Sequence, residues 1–520
     1  MLVAAVGFFT ASNIAASFMH GKLAIASSYD DVVYLLDGYQ RRLAMLDQTF
    51  FATVKDFFLN PPHSPLSALL AMFGYSLFGP WLVSPYLMNS VLLIFYALSV
   101  FAVLRPSLGT WISITLVLGF LQLPISHAMV SEFRPDFGAA LFFAVASFAL
   151  IHNKHEILSN GERISLGVLA ALAIAAKPSA VLITVPMLGF SGVVGIVLTV
   201  YRVGSLASGL RHSIPTLSTF LLLSGCFGYF WSIEIYDYLI QVFYTNADVW
   251  KTPGDTFSQW TYYSIGWMGT RALGPMFWPF LILILTDSLL LIQKRPDGFL
   301  APLAYFLFVL IVYAGMSMTF SKTEFQASYF IWPFVIATVG ATGRLLLGLS
   351  QFQFIHIGKA IVFPVVAAFS LLSPWSGQYM SRLPDGSKEL LMKLVEAAVL
   401  KQNELLDLKC PRHTVNLNSF APYPITSEAV ALEGLMRNNL EIGRLVLYFT
   451  RSFEEQVEMM QSTDLLLFQS KGHVAISITF PGYAFYDQMA DYLHAHPEWV
   501  PQPLPVAMGF PSTLYVKKGC

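Results

Sequence analysis

The chain has 520 residues, of which 55% are hydrophobic and only 12% charged, with a formal net charge of −1 and a mean hydropathy of +0.60. Soluble domains carry about 25% charged residues, so the composition excludes a protein built for water throughout. The apolar runs are continuous, which excludes a barrel of alternating strands; the near-zero charge singles out no partner, and no nucleic acid is expected.

Runs of about 20 apolar residues, each long enough to cross a ~30 Å hydrocarbon core, recur along the first two-thirds of the chain. The first, about residues 2–19, has no basic segment before it and reads as a retained span rather than a cleaved signal. Residues 28–79 form a polar outer loop that begins SSYDDVVYLLDG, with the adjacent acids Asp30 and Asp31. A Pro-Pro-His-Ser-Pro-Leu turn follows, then an apolar stretch at 64–78 that is short for a crossing and reads as an interfacial or re-entrant helix. Further spans fall at about 82–104, 109–125, 137–151, 164–176, 179–200, 214–233, 275–292, 303–320, 329–347 and 361–372.

The connections alternate in character. HAMVSEFRPD (127–136) caps the fourth span, Lys177-Pro178 turns the fifth into the sixth, and 234–274 is a long polar and aromatic loop. Arg105, Lys154, Arg163, Arg202, Arg211, Lys294, Arg295, Arg344 and Lys359 all fall on the other side, as the positive-inside rule requires. The sequence therefore predicts a polytopic α-helical membrane domain, 1–372, of about eleven spans with a cytoplasmic N-terminus. The span interiors read as nearly free of charge.

From residue 373 the composition changes. SRLPDGSKELLMKLVEAAVLKQNELLDLKC reads as an amphipathic helix, LVLYFT, DLLLFQ and HVAISITF as strands, and YAFYDQMADYLHAHPEW as a second helix. The region 373–520 is thus a small soluble α/β domain, placed outside the membrane by the topology. Cys226, Cys410 and Cys520 are far apart and show no metal or disulfide pattern.

The predicted topology gathers polar residues on the outer face: Asp30, Asp31, Asp37, His63, Glu132, Arg134, Asp136, Lys177, Arg271, Lys322 and Glu324. Outer cations run against the orientation rule and call for a specific reason. Acids mixed with bases suit one chemistry: a carboxylate deprotonates an acceptor hydroxyl while Arg and Lys hold a departing phosphate. Blander readings stand beside it. The acid pair can cap a helix, Lys177 can snorkel, Arg271 can anchor at the interface, His63 can serve a turn, and the aromatic stretch 250–263 can be an interfacial belt.

The acidic first loop, PPHSPL before a helix ending in LFG, RPDFGAALFF opening a span, AAKPSAVLITVP across a hairpin and SKTEFQASYFIWP together resemble the glycosyltransferase C superfamily. Its nearest branch is that of protein O-mannosyltransferases and lipid A aminoarabinose transferases, and the resemblance covers residues 1–350. It implies transfer of a sugar from a polyprenyl-phosphate donor, of the dolichyl-phosphate-mannose kind, to a hydroxyl of a lipid, glycan or protein. It also implies Asp30 or Asp31 as general base, and His63, Glu132, Arg134, Asp136, Lys177, Arg271, Lys322 and Tyr329 as substrate-binding residues. The acid pair could also hold Mg²⁺ or Mn²⁺. The expected location is a cell-envelope membrane, bacterial inner membrane ahead of endoplasmic reticulum, with lipids as further partners. The rival reading is a transporter or flippase for a lipid-linked or small anionic substrate.

Overall fold

The computed structural model describes residues 1–26, 30–152, 156–264, 272–273, 276–294, 300–319, 322, 325–349, 386–420, 425–469, 480–507, 509 and 511–520. The chain divides into two compact units. One comprises Met1–Asn13, Gln48–Leu70 and Tyr86–Tyr379; the other comprises Ile14–Asp47, Ala71–Pro85 and Met380–Cys520.

The first unit is helical. Among the described residues, seven helices of the chain are long and apolar enough to cross a membrane. An eighth arises if Leu108–Phe120 and Pro124–Ser131, bent by 67°, count as one broken span. Each of the first ten expected spans coincides with a helix; the eleventh, 361–372, lies outside the described residues. Pro135–His152 sits at the centre, packed against Ser328–Leu349, Asn160–Ala175 and Val181–Val203. Its buried residues include the small Gly138, Ala139, Ala140 and Ala144, which let neighbouring helices approach closely. The break between the second and third expected spans falls at Gly109, whose φ of 73° a side chain would resist. Pro106, just before it, has no N–H to give the helix ladder.

One expectation needs correction here, and two others gain detail. The segment 127–136, expected to cap the fourth span, begins inside a helix, Pro124–Ser131, with every residue buried. Its polar side chains are satisfied inside: His127 Nδ1 lies 2.5 Å from Asn13 Oδ1, and Ser131 Oγ donates to its own helix at His127 O. The seventh span does not stop at 233; Leu206–Ile240 is one helix, continued by a π turn over Gln241–Thr245, since no Gly or Pro interrupts EIYDYLI. The span interiors, read as nearly free of charge, hold a buried carboxylate. Asp287 is buried in the helix Phe277–Lys294, where its Oδ2 accepts from Arg344 Nε at 2.9 Å and Nη2 at 2.7 Å.

The second unit contains a five-stranded sheet in the order β2-β1-β3-β5-β4. The strands are β1 (Val415–Ser419), β2 (Ile442–Val446), β3 (Leu465–Gln469), β4 (Trp499–Pro503) and β5 (Ser512–Lys517). β1 pairs in parallel with β2 and β3, and β5 runs antiparallel to β3 and β4. Crossover helices Ser427–Asn438 and Phe453–Gln461 join the parallel strands. One face is closed by Phe420, Leu447, Met460, Leu466, Phe468, Met489, Leu493 and Trp499. LVLYFT is strand only to Val446 and then a 3-10 turn, while HVAISI and Thr479 lie outside the described residues. Helices Ser387–Asp407 and Tyr486–Ala495 fall where the sequence placed them.

The cysteine expectation is also corrected. Cys410 and Cys520, 110 residues apart in sequence, form a disulfide. Distance along the chain hid the pair: Cys410 follows the long helix and Cys520 follows β5, and both elements end at the same edge of the sheet. Cys226 is free and exposed.

Candidate functional site

Each unit carries its own polar centre. In the second unit, Asp30 and Asp31 open the helix Asp30–Asp47. Asp31 is completely buried, and its Oδ2 accepts from Lys22 Nζ at 3.0 Å. Lys22 was not singled out in the sequence; it follows the first helix in a 3-10 turn, Lys22–Ala24, too short to leave a periodic signal. Two turns further on, Arg41 Nε donates to Asp37 at 3.1 Å. The side chain of Asp30 lies outside the described residues.

In the first unit, four of the expected residues come together. Pro135 starts the helix Pro135–His152, a position its missing N–H tolerates, and places Asp136 in the first turn, where a carboxylate meets the positive end of the helix dipole. Lys177 stands in extended backbone between Asn160–Ala175 and the 3-10 turn Pro178–Ala180. Its Nζ donates to Asp136 Oδ1 at 2.6 Å. Arg134 Nε is 3.9 Å from Glu132 Oε2, and its guanidinium lies 4.0 Å from the centre of the Phe325 ring, a cation–π contact. The four are thus two ion pairs, Glu132–Arg134 and Asp136–Lys177, and no ion pair joins Arg134 to Asp136 among the described residues. Asn89 Nδ2 fixes the strand-like link between them by donating to Met129 O and Glu132 O at 2.8 and 3.3 Å.

Two further segments are tied to this cluster. Ser328 Oγ donates to Asp136 O at 3.2 Å, which places the next residue, buried Tyr329, at the same helix entrance. The PPHSPL turn reaches it too: Ser64 Oγ donates to Ala176 O at 3.0 Å, one residue before Lys177. Trp231 Nε1 donates to Pro62 O at 3.0 Å, and the exposed His63 ring packs 5.2 Å from Tyr238. His63 therefore sits in a turn held from both sides. Arg271 and Glu324 lie outside the described residues.

Lys322 is placed differently. Its Nζ donates to Met316 O, Ser317 O and Thr319 O at 3.2, 2.8 and 2.6 Å, closing the C-terminal end of Leu300–Met318. Its backbone is held by Thr252, whose hydroxyl accepts from Lys322 N at 2.8 Å. Burial pushes the ammonium below the usual lysine range. A lysine at this position satisfies carbonyls the helix leaves open. We expect Lys322→Met to lower stability by about 1–3 kcal/mol, because buried carbonyls lose their donor, with Lys322→Arg losing less; thermal unfolding of the two variants checks this.

For the Asp136–Lys177 pair the expected result is a double-mutant cycle. Lys177→Met leaves a buried carboxylate without its cation and should cost on the order of 3 kcal/mol, whereas Asp136→Asn/Lys177→Met together should recover most of that loss. A simple sum of the single losses in the double variant would mean the pair does not interact.

Among the described residues no three His, Cys, Asp or Glu side chains gather to hold a metal ion. Asp31 faces an ammonium, which is no partner for a cation site, so the residues described do not fit Mg²⁺ or Mn²⁺ and no step is derived through one.

The long apolar helices of the first unit and the small sheet domain of the second make up the fold of an integral membrane protein, and the chain shares that fold with solved structures. The chain is similar in structure to ArnT from Cupriavidus metallidurans bound to undecaprenyl phosphate. That match has a TM-score of 0.56 at 12% identity, and covers 98% of this chain and 97% of that one. It is also similar to the Archaeoglobus fulgidus oligosaccharyltransferase tethered to an acceptor peptide, with a TM-score of 0.53 at 10% identity, over 90% of this chain and 68% of that one. No protein-family model and no curated protein sequence matches the chain.

Proposed function

We propose that the protein is an integral-membrane glycosyltransferase that takes a sugar from a polyprenyl-phosphate donor and moves it to a hydroxyl of a lipid, glycan or protein. The observation that carries this reading is the cationic helix entrance of the first unit. Lys177 and Arg134 sit at breaks between apolar helices, the Ser64 turn is hooked beside Lys177, and Asp136 orients its ammonium. A lipid-borne phosphate can lie along apolar helices and meet cations there. The acid pair Asp30/Asp31 supplies the base. In the reaction the acceptor hydroxyl gives its proton to the carboxylate, and its oxygen bonds to the anomeric carbon. The bond from that carbon to the phosphate oxygen breaks, and the polyprenyl phosphate leaves with the electron pair, its charge held by Lys177 and Arg134. Phosphate is already a fair leaving group, so position and charge neutralisation do most of the catalysis.

The Cys410–Cys520 disulfide supports placing the second unit on the extracytoplasmic side, since disulfides persist in oxidising compartments. A bacterial inner membrane is the proposed home, with the N-terminus in the cytoplasm.

Mass spectrometry of lipids that copurify with the protein tests the reading, comparing wild type with Arg134→Ala/Lys177→Ala. A polyprenyl phosphate held by wild type and lost in the variant is expected, and any attached sugar then names the donor. The same bulk phospholipid in both would overturn the carrier site and turn attention to transport, for which the Asp287–Arg344 pair inside the helices is the place to look.

A further inference from the structure

The carboxyl edge of the five-stranded sheet holds buried polar groups that have no hydrogen-bond partner among the described residues. From β1 the chain passes through Ser427–Asn438 to β2 on one side; β3, on the other side of β1, is reached through Phe453–Gln461. Beyond β3 the chain goes on to Tyr486–Ala495, whose Met489 and Leu493 pack on the same face as Met460. Ser427–Asn438 instead packs with Ser387–Asp407. The helices that follow the adjacent parallel strands β1 and β3 in the chain thus pack on opposite faces of the sheet. Such a reversal opens a crevice beyond the carboxyl ends of the strands, where open α/β sheets take their ligands.

Gln469 ends β3. Leu466 and Phe468 belong to the Met460–Met489 face, so by the two-residue period of a strand Gln469 lies on the opposite face, toward Ser427–Asn438. Its residue is only 4% exposed, and neither its amide nitrogen nor its amide oxygen has a hydrogen-bond partner among the described residues. Ser512, its register partner on β5, has an equally buried and unpartnered hydroxyl. So does Thr426, which stands at the N-cap of Ser427–Asn438 without capping it. A buried polar group left unpaired is costly, and such groups are few in native proteins. Their concentration at the one edge where the topology opens a crevice points to a ligand that supplies their bonds.

The same edge holds the segment that leads to Asp31. Gly386, which opens Ser387–Asp407, comes so close to the turn between β4 and β5 that a Cβ would stand 2.8 Å from Val506 O. Ser387 Oγ accepts from Ala26 N at 2.9 Å, and Lys388 Nζ donates to Leu23 O at 2.9 Å. Residues 23–26, between Lys22 and Asp31, are therefore fastened at the carboxyl edge.

We infer that this crevice is a saccharide-binding site, lined by Gln469, Ser512 and Thr426, that holds the acceptor for the reaction proposed above; only the acceptor role rests on that reading. An amide offers donors and an acceptor, and each hydroxyl does both, which matches sugar hydroxyls that also do both. No carboxylate or guanidinium belongs to the set, and the nearby Lys388 ammonium is engaged by Leu23 O and the Phe18 ring. An uncharged polyol fits better than a phosphate or a carboxylate.

The test uses the full chain in lipid nanodiscs, free of sugar detergents, and saturation-transfer NMR with the methyl glycosides of mannose, glucose, galactose, arabinose and N-acetylglucosamine. At least one should bind wild type, and Gln469→Leu should weaken it about tenfold or more, the equivalent of about 1.4 kcal/mol. The apolar isostere relieves an unpaired amide, so its melting temperature should equal or exceed that of wild type. The inference falls if none of the glycosides binds, if Gln469→Leu binds as well as wild type, or if that variant melts lower, which would mean the amide is paired within the fold. Failure of the carrier-lipid experiment with glycoside binding intact removes the transferase reading and leaves the saccharide site; the converse removes the site alone.

Discussion

Asp31→Asn should abolish transfer, with a fall in kcat of between about 10² and 10⁴, the contribution of a positioned general base. Asp31 is fully buried, and its carboxylate is aimed by the Lys22 ammonium at 3.0 Å. A base held in this way has lost its rotational freedom before the acceptor arrives, which is the pre-organisation that catalysis requires. The amide introduced by Asp31→Asn would keep the volume and still offer an oxygen to Lys22, so the fold should survive with a modest loss of melting temperature. What disappears is the capacity to take a proton.

The kinetic signature separates this role from a structural one. Removal of a base lowers kcat and leaves the donor KM near its wild-type value, whereas a damaged pocket raises KM. Asp30→Asn should cost less than Asp31→Asn if Asp31 is the base, and the double variant should be no worse than Asp31→Asn alone, because a proton cannot be lost twice. Turnover in the double variant above about a tenth of wild type would place the base elsewhere.

The parts of the fold written in long periodic segments were legible. Helices such as Pro135–His152 and Leu300–Met318 are continuous apolar runs, and length with hydropathy fixes them independently of context. The breaks were legible where Gly and Pro make them, at Gly109 and at Lys177-Pro178. The sequence failed where tertiary partners change the meaning of a residue. His127 looks like loop polarity until Asn13 is seen beside it, and Asp287 vanishes into an apolar run until Arg344 arrives from another helix.

The candidate site shows the same division. Arg134, Asp136, Lys177 and the His63 turn were visible because cations and prolines are rare at span entrances. The structure adds how they are wired, Arg134 to Glu132 and Phe325 and Asp136 to Lys177. Lys322 was equally visible but is engaged by the end of its own helix, a use that only the path of the chain after Met318 reveals. Lys22 and Gln469 carried no signal, since a single lysine in a short turn and a glutamine at a strand end are ordinary residues until their surroundings are known.

Loss of the Cys410–Cys520 disulfide should destabilise the second unit by about 2–4 kcal/mol. Closing a loop between cysteines 110 positions apart restricts the unfolded chain, and chain-entropy arguments put the gain for about 100 residues near 4.7 kcal/mol, with measured values commonly lower. The bridge does not act alone on the tail. Lys401, buried under it, donates to Lys517 O, Gly519 O and Glu404 Oε2 at 2.5, 2.8 and 3.0 Å. Burial pushes the Glu404 carboxyl up, but the Gly519 amide and the Lys401 ammonium outweigh it and hold it below the usual glutamate value of 4.5. A carboxyl depressed in the folded state contributes stability that is present above its unfolded value and is lost as the pH falls through the folded one. The Cys410→Ser/Cys520→Ser variant should therefore melt lower at neutral pH and lose further stability as the pH drops below about 4.5, with the wild-type bridge retaining the tail under the same acid. Labelling of denatured protein with a maleimide mass tag checks the premise. Without reductant only Cys226 should react, and with reductant all 3 cysteines should. Three tags without reductant would show that the bridge does not form and would remove its support for an extracytoplasmic second unit.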